Sequence, residues 1–110
     1  MVVELRHNVD LEQLLERSKE DPILIFKHST HCPVSSAAYD ELLEFTATAG
    51  DIPCGVVLVI ENRPVSNTIA AKLGVRHESP QVIVVENGRQ KWHASHWAIT
   101  ADALEKAMRG

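Results

Sequence analysis

The sequence predicts an α/β fold: a four-stranded mixed sheet, a parallel pair followed by an antiparallel hairpin, flanked by helices in the order α-β-α-β-α-β-β-α. Three observations carry this prediction. Ile23 to Phe26 and Gly55 to Ile60 are short continuous apolar runs, the pattern of strands covered on both faces. Each is followed by a segment with helical spacing, the connection that parallel strands require. Later, Asn87-Gly88 separates two strand-like runs, a strong two-residue hairpin signal.

The elements follow in order. Val9, Leu11, Leu14 and Leu15 have the spacing of an amphipathic helix, capped at Asp10 and ended by Asp21-Pro22. The first strand is Ile23 to Lys27. A second helix runs from Pro33 to about Ala49, with Val34, Ala38, Leu42 and Phe45 as one apolar stripe and Gly50 closing it. The second strand, Gly55 to Ile60, leads to a helix that opens at Pro64 and closes at Leu73-Gly74. After Val75 to Ser79 comes Pro80, then the hairpin strands Val82 to Glu86 and Lys91 to Ala94. Thr100 and Asp102 open a last helix, Ala101 to Met108.

At 110 residues the chain is expected to form a single domain, residues 1–110, with one core of ordinary size. Fifteen acidic against eleven basic side chains give a net charge of −4 with the basic ones scattered, which argues against a nucleic-acid partner. The N-terminal Met1-Val2-Val3-Glu4-Leu5-Arg6 becomes charged too soon for a signal peptide, and no apolar run approaches the roughly 20 residues of a membrane span. A cytoplasmic protein without a membrane partner is the expectation. Its two cysteines, in a reducing compartment, are then reactive or buried rather than a disulfide framework.

Of the two, Cys32 stands in the chemically telling place, within His28-Ser29-Thr30-His31-Cys32-Pro33-Val34-Ser35 where a strand ends and a helix begins. Pro33 suits the first helical position, which leaves Cys32 at the cap. The N–H groups of Val34 and Ser35 would point at the sulfur, and the helix dipole favours negative charge there. At such sites thiol pKa values fall from about 8.5 to roughly 3.5–7.5, and Lys27, His28 and His31 are candidate cationic neighbours.

The element order, with a cysteine at the first strand-to-helix turn and Ser79-Pro80 before the third strand, resembles the thioredoxin fold over nearly the whole chain. Within that superfamily the fragments HSTHCPVS, ENRPVSN, HESPQ and WHASHWAIT resemble the YtxJ-type bacilliredoxins, monothiol members linked to bacillithiol. The resemblance implies that Cys32 is the nucleophile and Pro80 a cis proline facing it, the X-Pro bond being the one place where cis costs little.

The topology gathers the loops on one edge of the sheet: Thr30, His31 and Pro33 beside Cys32, Asn62 to Asn67 with Arg63, His77 to Pro80 with Ser79, and Ser95 to Trp97 with His96. Arg63 at a helix N-terminus suits the carboxylate of a low-molecular-weight thiol, and His77, His96 and Trp97 are expected to flank the substrate. Ser35 stands where a dithiol thioredoxin carries its resolving cysteine, and Lys27 belongs to the strand where thioredoxins keep a buried acid. Cys32 therefore has no local partner, and Cys54, at the far end of a strand, lies beyond disulfide reach. A monothiol cycle follows, with the Ser35 hydroxyl and helix N–H groups stabilising a thiolate.

The resemblance implies bacillithiol as cosubstrate, with no permanently bound cofactor and no metal. Bacillithiolated client proteins and a small thiol or separate reductase are the implied partners. Glutaredoxins grip glutathione with a glycine pair where this chain has Ser95-His96-Trp97, so glutathione is not the natural first choice, while coenzyme A and cysteine adducts stay open. Two other readings stay open: a module binding zinc or copper through His28, His31, Cys32 and His77, and a redox sensor that changes partners when Cys32 is modified.

Overall fold

A computed structural model describes residues 2–110. Its elements are β1 (Val2–Glu4), α1 (Asn8–Arg17), β2 (Ile23–His28), α2 (Pro33–Ala49), β3 (Cys54–Leu58), α3 (Arg63–Leu73), β4 (Gln81–Glu86), β5 (Arg89–Ser95), a 3-10 turn (His96–Ala98) and α4 (Ala101–Arg109). The sheet has five strands in the order β1-β3-β2-β4-β5. β2 pairs parallel with β3, and antiparallel with β4, which forms the hairpin with β5.

The four-stranded expectation is corrected by β1, which pairs parallel with β3 from Val2 opposite Cys54 to Glu4 opposite Val56. Three exposed residues at a sheet edge carry too short a pattern to register as a strand. Leu5, directly after them, is buried and anchors the edge. Several boundaries also shift, two of them with a clear local cause. Asp10 lies in the first turn of α1 rather than at its cap, and its carboxylate reaches back to accept the N–H groups of His7 at 2.9 Å and Arg6 at 3.0 Å. The second predicted strand ends at Leu58 instead of Ile60, because Asn62 N–H turns back to Leu58 O at 2.8 Å.

Alternation along β2 builds the core on both faces. Ile23 and Ile25 join Leu11, Leu14, Val57, Ile69 and Ile83 under α1 and α3. Leu24 and Phe26 join Leu42, Phe45, Val56, Val82 and Leu104 under α2 and α4. Each such buried aliphatic or aromatic side chain contributes about 1.5–3 kcal/mol by leaving water. Lys27 continues the first of these rows and is fully buried.

Gly55 is required by close approach. A Cβ there would stand 2.6 Å from Leu14 Cδ2 and 2.8 Å from Leu5 Cδ1, so glycine lets the chain after β1 and α1 close onto the start of β3. In the hairpin, Asn87 at φ 53° and Gly88 at φ 75° supply the two left-handed residues that a tight turn between twisted strands needs.

Candidate active site

β2 delivers the chain to the active edge, and a tight turn follows in which Cys32 N–H donates to Ser29 O at 3.2 Å. Pro33 takes the first helical position of α2 and Cys32 its N-cap, as the sequence predicts. The Cys32 carbonyl accepts Ser36 N–H at 3.0 Å. Its side chain makes no capping hydrogen bond, so the expected bonds from Val34 and Ser35 N–H to the sulfur are not formed. The thiol is free and partly exposed at a helix N-terminus, where an anion is stabilised.

Ser35 is fully buried one turn into α2. Its Oγ accepts Ser29 N–H at 2.9 Å and lies 2.7 Å from His28 Nδ1. The hydroxyl thus holds the Ser29–Cys32 turn against the helix, whereas the sequence reading gave it to the sulfur. The His28 ring stacks on Tyr39 with centroids 5.0 Å apart, and burial lowers its pKa. Sequence reasoning treated His28 only as a cation or ligand and missed this bracing role. Thr30, His31 and Pro33 are exposed around the turn.

On the neighbouring strand the Ser79–Pro80 peptide is cis. Pro80 O accepts His96 N–H at 3.1 Å, which ties the start of β4 to the end of β5. His96 adopts a left-handed conformation, φ 53°, and Trp97 is 71 % exposed. Both line a cleft of about 190 Å³ with Ala37, Ala38, Glu41, Ile99 and Thr100, beside the first turns of α2. A larger cleft, about 490 Å³, lies among Pro22, Phe45 and Met108 at the opposite end of the sheet, remote from the thiol.

Arg63 is the first residue of α3 and is exposed. His77 is exposed too, and its pKa is lowered by burial of the ring and then by the positive charges of Lys27 and Arg63. Lys27 Nζ stands 3.0 Å from His77 Nδ1. Among the described residues Lys27 has no ion-pair partner, and burial pushes its pKa down to about 8. A buried, uncompensated ammonium costs several kcal/mol, which is why such a lysine loses its proton readily. The sequence carried a signal for this: Ile23, Ile25 and Lys27 share one face of a strand buried on both sides.

The site residues thus fall into three groups on one edge: the turn and cap around Cys32, Arg63 with His77, and Ser79-Pro80 with His96 and Trp97. None hydrogen-bonds the Cys32 side chain among the described residues. The zinc or copper module finds no ligand set: no group of three or more His, Cys, Asp or Glu among the described residues could hold a metal. Cys54 begins β3, fully buried, and burial pushes its thiol up to about 12. Its register partner is Leu24, four residues before His28, so about 13 Å of strand separates it from the active edge.

This arrangement is that of a thioredoxin-fold protein, and solved structures agree. A solved structure described as "a putative oxidoreductase with a thioredoxin fold" matches at 32% identity and TM-score 0.89, over 96% of this chain and 92% of the other. The thioredoxin of Fasciola hepatica matches at 18% identity and TM-score 0.76, over 97% and 96%. That of Trypanosoma brucei brucei matches at 11% and 0.80, over 99% and 88%. The profile of the monothiol bacilliredoxin BrxC family matches residues 3–104, and the chain belongs to that family. Fold and family together make it a thiol-disulfide oxidoreductase.

Proposed function

We propose that this protein removes bacillithiol from protein mixed disulfides by a monothiol cycle at Cys32. The observation that carries the reading is the free Cys32 at the α2 cap with a serine, Ser35, one turn on and the second thiol, Cys54, buried at the far end of β3. The Cys32 thiolate attacks the bacillithiol sulfur of the mixed disulfide. The client sulfur leaves as thiolate and takes a proton, and Cys32 keeps bacillithiol in a new S–S bond. A second small thiol, or a reductase, attacks that adduct and releases the Cys32 thiolate.

The exposed edge supplies recognition. Arg63 receives a carboxylate of the small thiol, while His96 and Trp97 border the cleft beside α2 and His77 and Ser79 flank the cis Pro80. Thr30, His31 and Pro33 present the thiol to the client. No helix among the described residues is long and apolar enough to cross a membrane. A cytoplasmic role with protein clients is consistent with this.

Intact-mass measurement of the reduced protein, after exposure to mixed disulfides of bacillithiol, glutathione, cysteine and coenzyme A, tests the proposal. The expected result is one bacillithiol adduct per chain, on Cys32, with release of the client thiol and repeated turnover when a small thiol is supplied. Adduct formation without turnover would favour the sensor. Preference for another thiol would overturn the bacillithiol assignment.

A further inference from the structure

A cluster of polar side chains lies under the active edge on the α3 face of the sheet, and the exchange at Cys32 does not account for it. Lys27 and Gln81 are direct partners across β2 and β4, so their side chains stand side by side on one face. Both are fully buried. Gln81 Nε2 donates to Arg76 O at 3.0 Å, but among the described residues its buried Oε1 has no partner, nor does Ser79 Oγ two residues earlier. Lys27 has three N–H donors and, among the described residues, one partner, His77 Nδ1 at 3.0 Å, with the buried Ser66 Oγ 3.3 Å from the same nitrogen. A buried ammonium without a carboxylate is a poor structural device, since an apolar residue of similar length would fill the space at lower cost. Its retention next to a surface histidine points to chemistry.

We propose that Lys27 and His77 form a proton relay that protonates the thiolate leaving the substrate disulfide, Lys27 donating to His77 Nδ1 and His77 passing a proton outward from Nε2. This rests on the exchange reading above. The tautomer follows from the geometry: a charged Lys27 can only donate, so Nδ1 offers its lone pair and Nε2 carries the hydrogen. As the client sulfur departs, Nε2–H gives its proton to that sulfur and Nδ1 takes one from Lys27, which becomes neutral. A solvent proton arriving at Nε2 sends the Nδ1 proton back to Lys27 and resets the pair. No electrons are gained or lost, because the S–S bond broken in the substrate is replaced by the one formed at Cys32. The low pKa of Lys27, about 8, keeps its proton mobile near neutral pH. Arg63 and Glu78 are the other charges acting on His77, in opposite directions.

A proton donor matters only when the departing thiolate is basic, and this makes the relay separable from a packing role. The test compares exchange rates with two bacillithiol mixed disulfides, one releasing an alkyl peptide thiol and one releasing the acidic aromatic thiol thionitrobenzoate. In Lys27→Met the ratio of the alkyl to the aromatic rate is expected to fall about tenfold from wild type. His77→Gln, a surface change that keeps the fold should Lys27→Met fail to fold, is expected to lower the same ratio to a similar extent. Equal loss for both leaving groups, or no loss, would overturn the relay and leave the exchange reading standing. Wild-type protein inert toward both disulfides would sink the exchange reading, and the relay with it.

Discussion

At the end of the sheet where β2 and β3 begin, Cys54 is packed among Leu24, Val56 and the α2–α4 residues and burial drives its thiol up to about 12. At the end where the same strands finish, Cys32 sits on a helix cap with its side chain uncommitted. The two thiols are chemically alike and differ in what surrounds them. Apolar closure makes one an inert packing atom; a proline-started helix leaves the other free at its cap, the position proposed above for the nucleophile. The contrast extends to the neighbours, since Lys27, Ser35 and Gln81 are buried polar side chains at the active edge, whereas Cys54 lies among apolar side chains.

The largest effect comes from exchanging the roles of these thiols. Cys32→Ala should reduce removal of the small thiol to the uncatalysed background, while Cys54→Ser should keep the rate within about twofold of wild type, because the thiolate is the nucleophile and only one is accessible. Initial rates with a mixed-disulfide substrate measure both. A rapidly formed Cys32–Cys54 disulfide in monomeric wild-type protein, seen by non-reducing peptide mapping, would break the comparison.

The far end should instead fail by packing. Gly55→Val drives carbon into Leu14 and Leu5, whose side chains lie 2.6 Å and 2.8 Å from the position of a Cβ. Overpacking of this kind costs about 3 kcal/mol. A matching fall in urea-unfolding free energy is expected, with the Cys32 chemistry retained in the folded fraction. No change in stability would show that β1 and α1 do not close on β3 as described.

The helix cap at Cys32 and the fold were legible because their signals are local. Pro33 directly after Cys32 marks the cap, and Asn87-Gly88 marks the hairpin, each through the conformation of one or two residues. What escaped is set by contacts between distant segments. β1 exists because Leu5 is buried and Gly55 admits it, not because Val2-Val3-Glu4 declares a strand. Ser35 was recognised by its position but its bonds to Ser29 N–H and His28 were not, since they depend on how the turn folds over the helix. The cross-strand pairing of Lys27 with Gln81 lies 54 positions apart in sequence, and no periodicity announces it.

A smaller effect is expected at the rim. Arg63→Ala should lower discrimination between bacillithiol and neutral thiol adducts about tenfold, the loss of one exposed charge-assisted contact of roughly 1.4 kcal/mol. Alkylation of Cys32 by iodoacetamide, which needs no recognition of the small thiol, is the control. Equal selectivity in both proteins would remove Arg63 from the site.

Alkaline pH sets the two ends against each other, because their buried groups shift in opposite directions. Cys54 titrates near 12 in the fold against an ordinary 9.0, so above pH 9 the unfolded chain sheds a proton that the fold retains. Stability from this group therefore falls with rising pH. Lys27 titrates near 8 in the fold against 10.5, so between these values the unfolded chain holds a proton that the fold has released, and stability rises. Urea unfolding of wild type, Cys54→Ala and Lys27→Met at pH 8 and pH 10 separates the contributions by difference. The advantage of wild type over Cys54→Ala should shrink by about 1 kcal/mol across that interval, and the stability of wild type relative to Lys27→Met should grow by about 2 kcal/mol. Parallel curves for wild type and Lys27→Met would show that Lys27 keeps an ordinary proton affinity, and that the amine beneath the active edge reaches water after all.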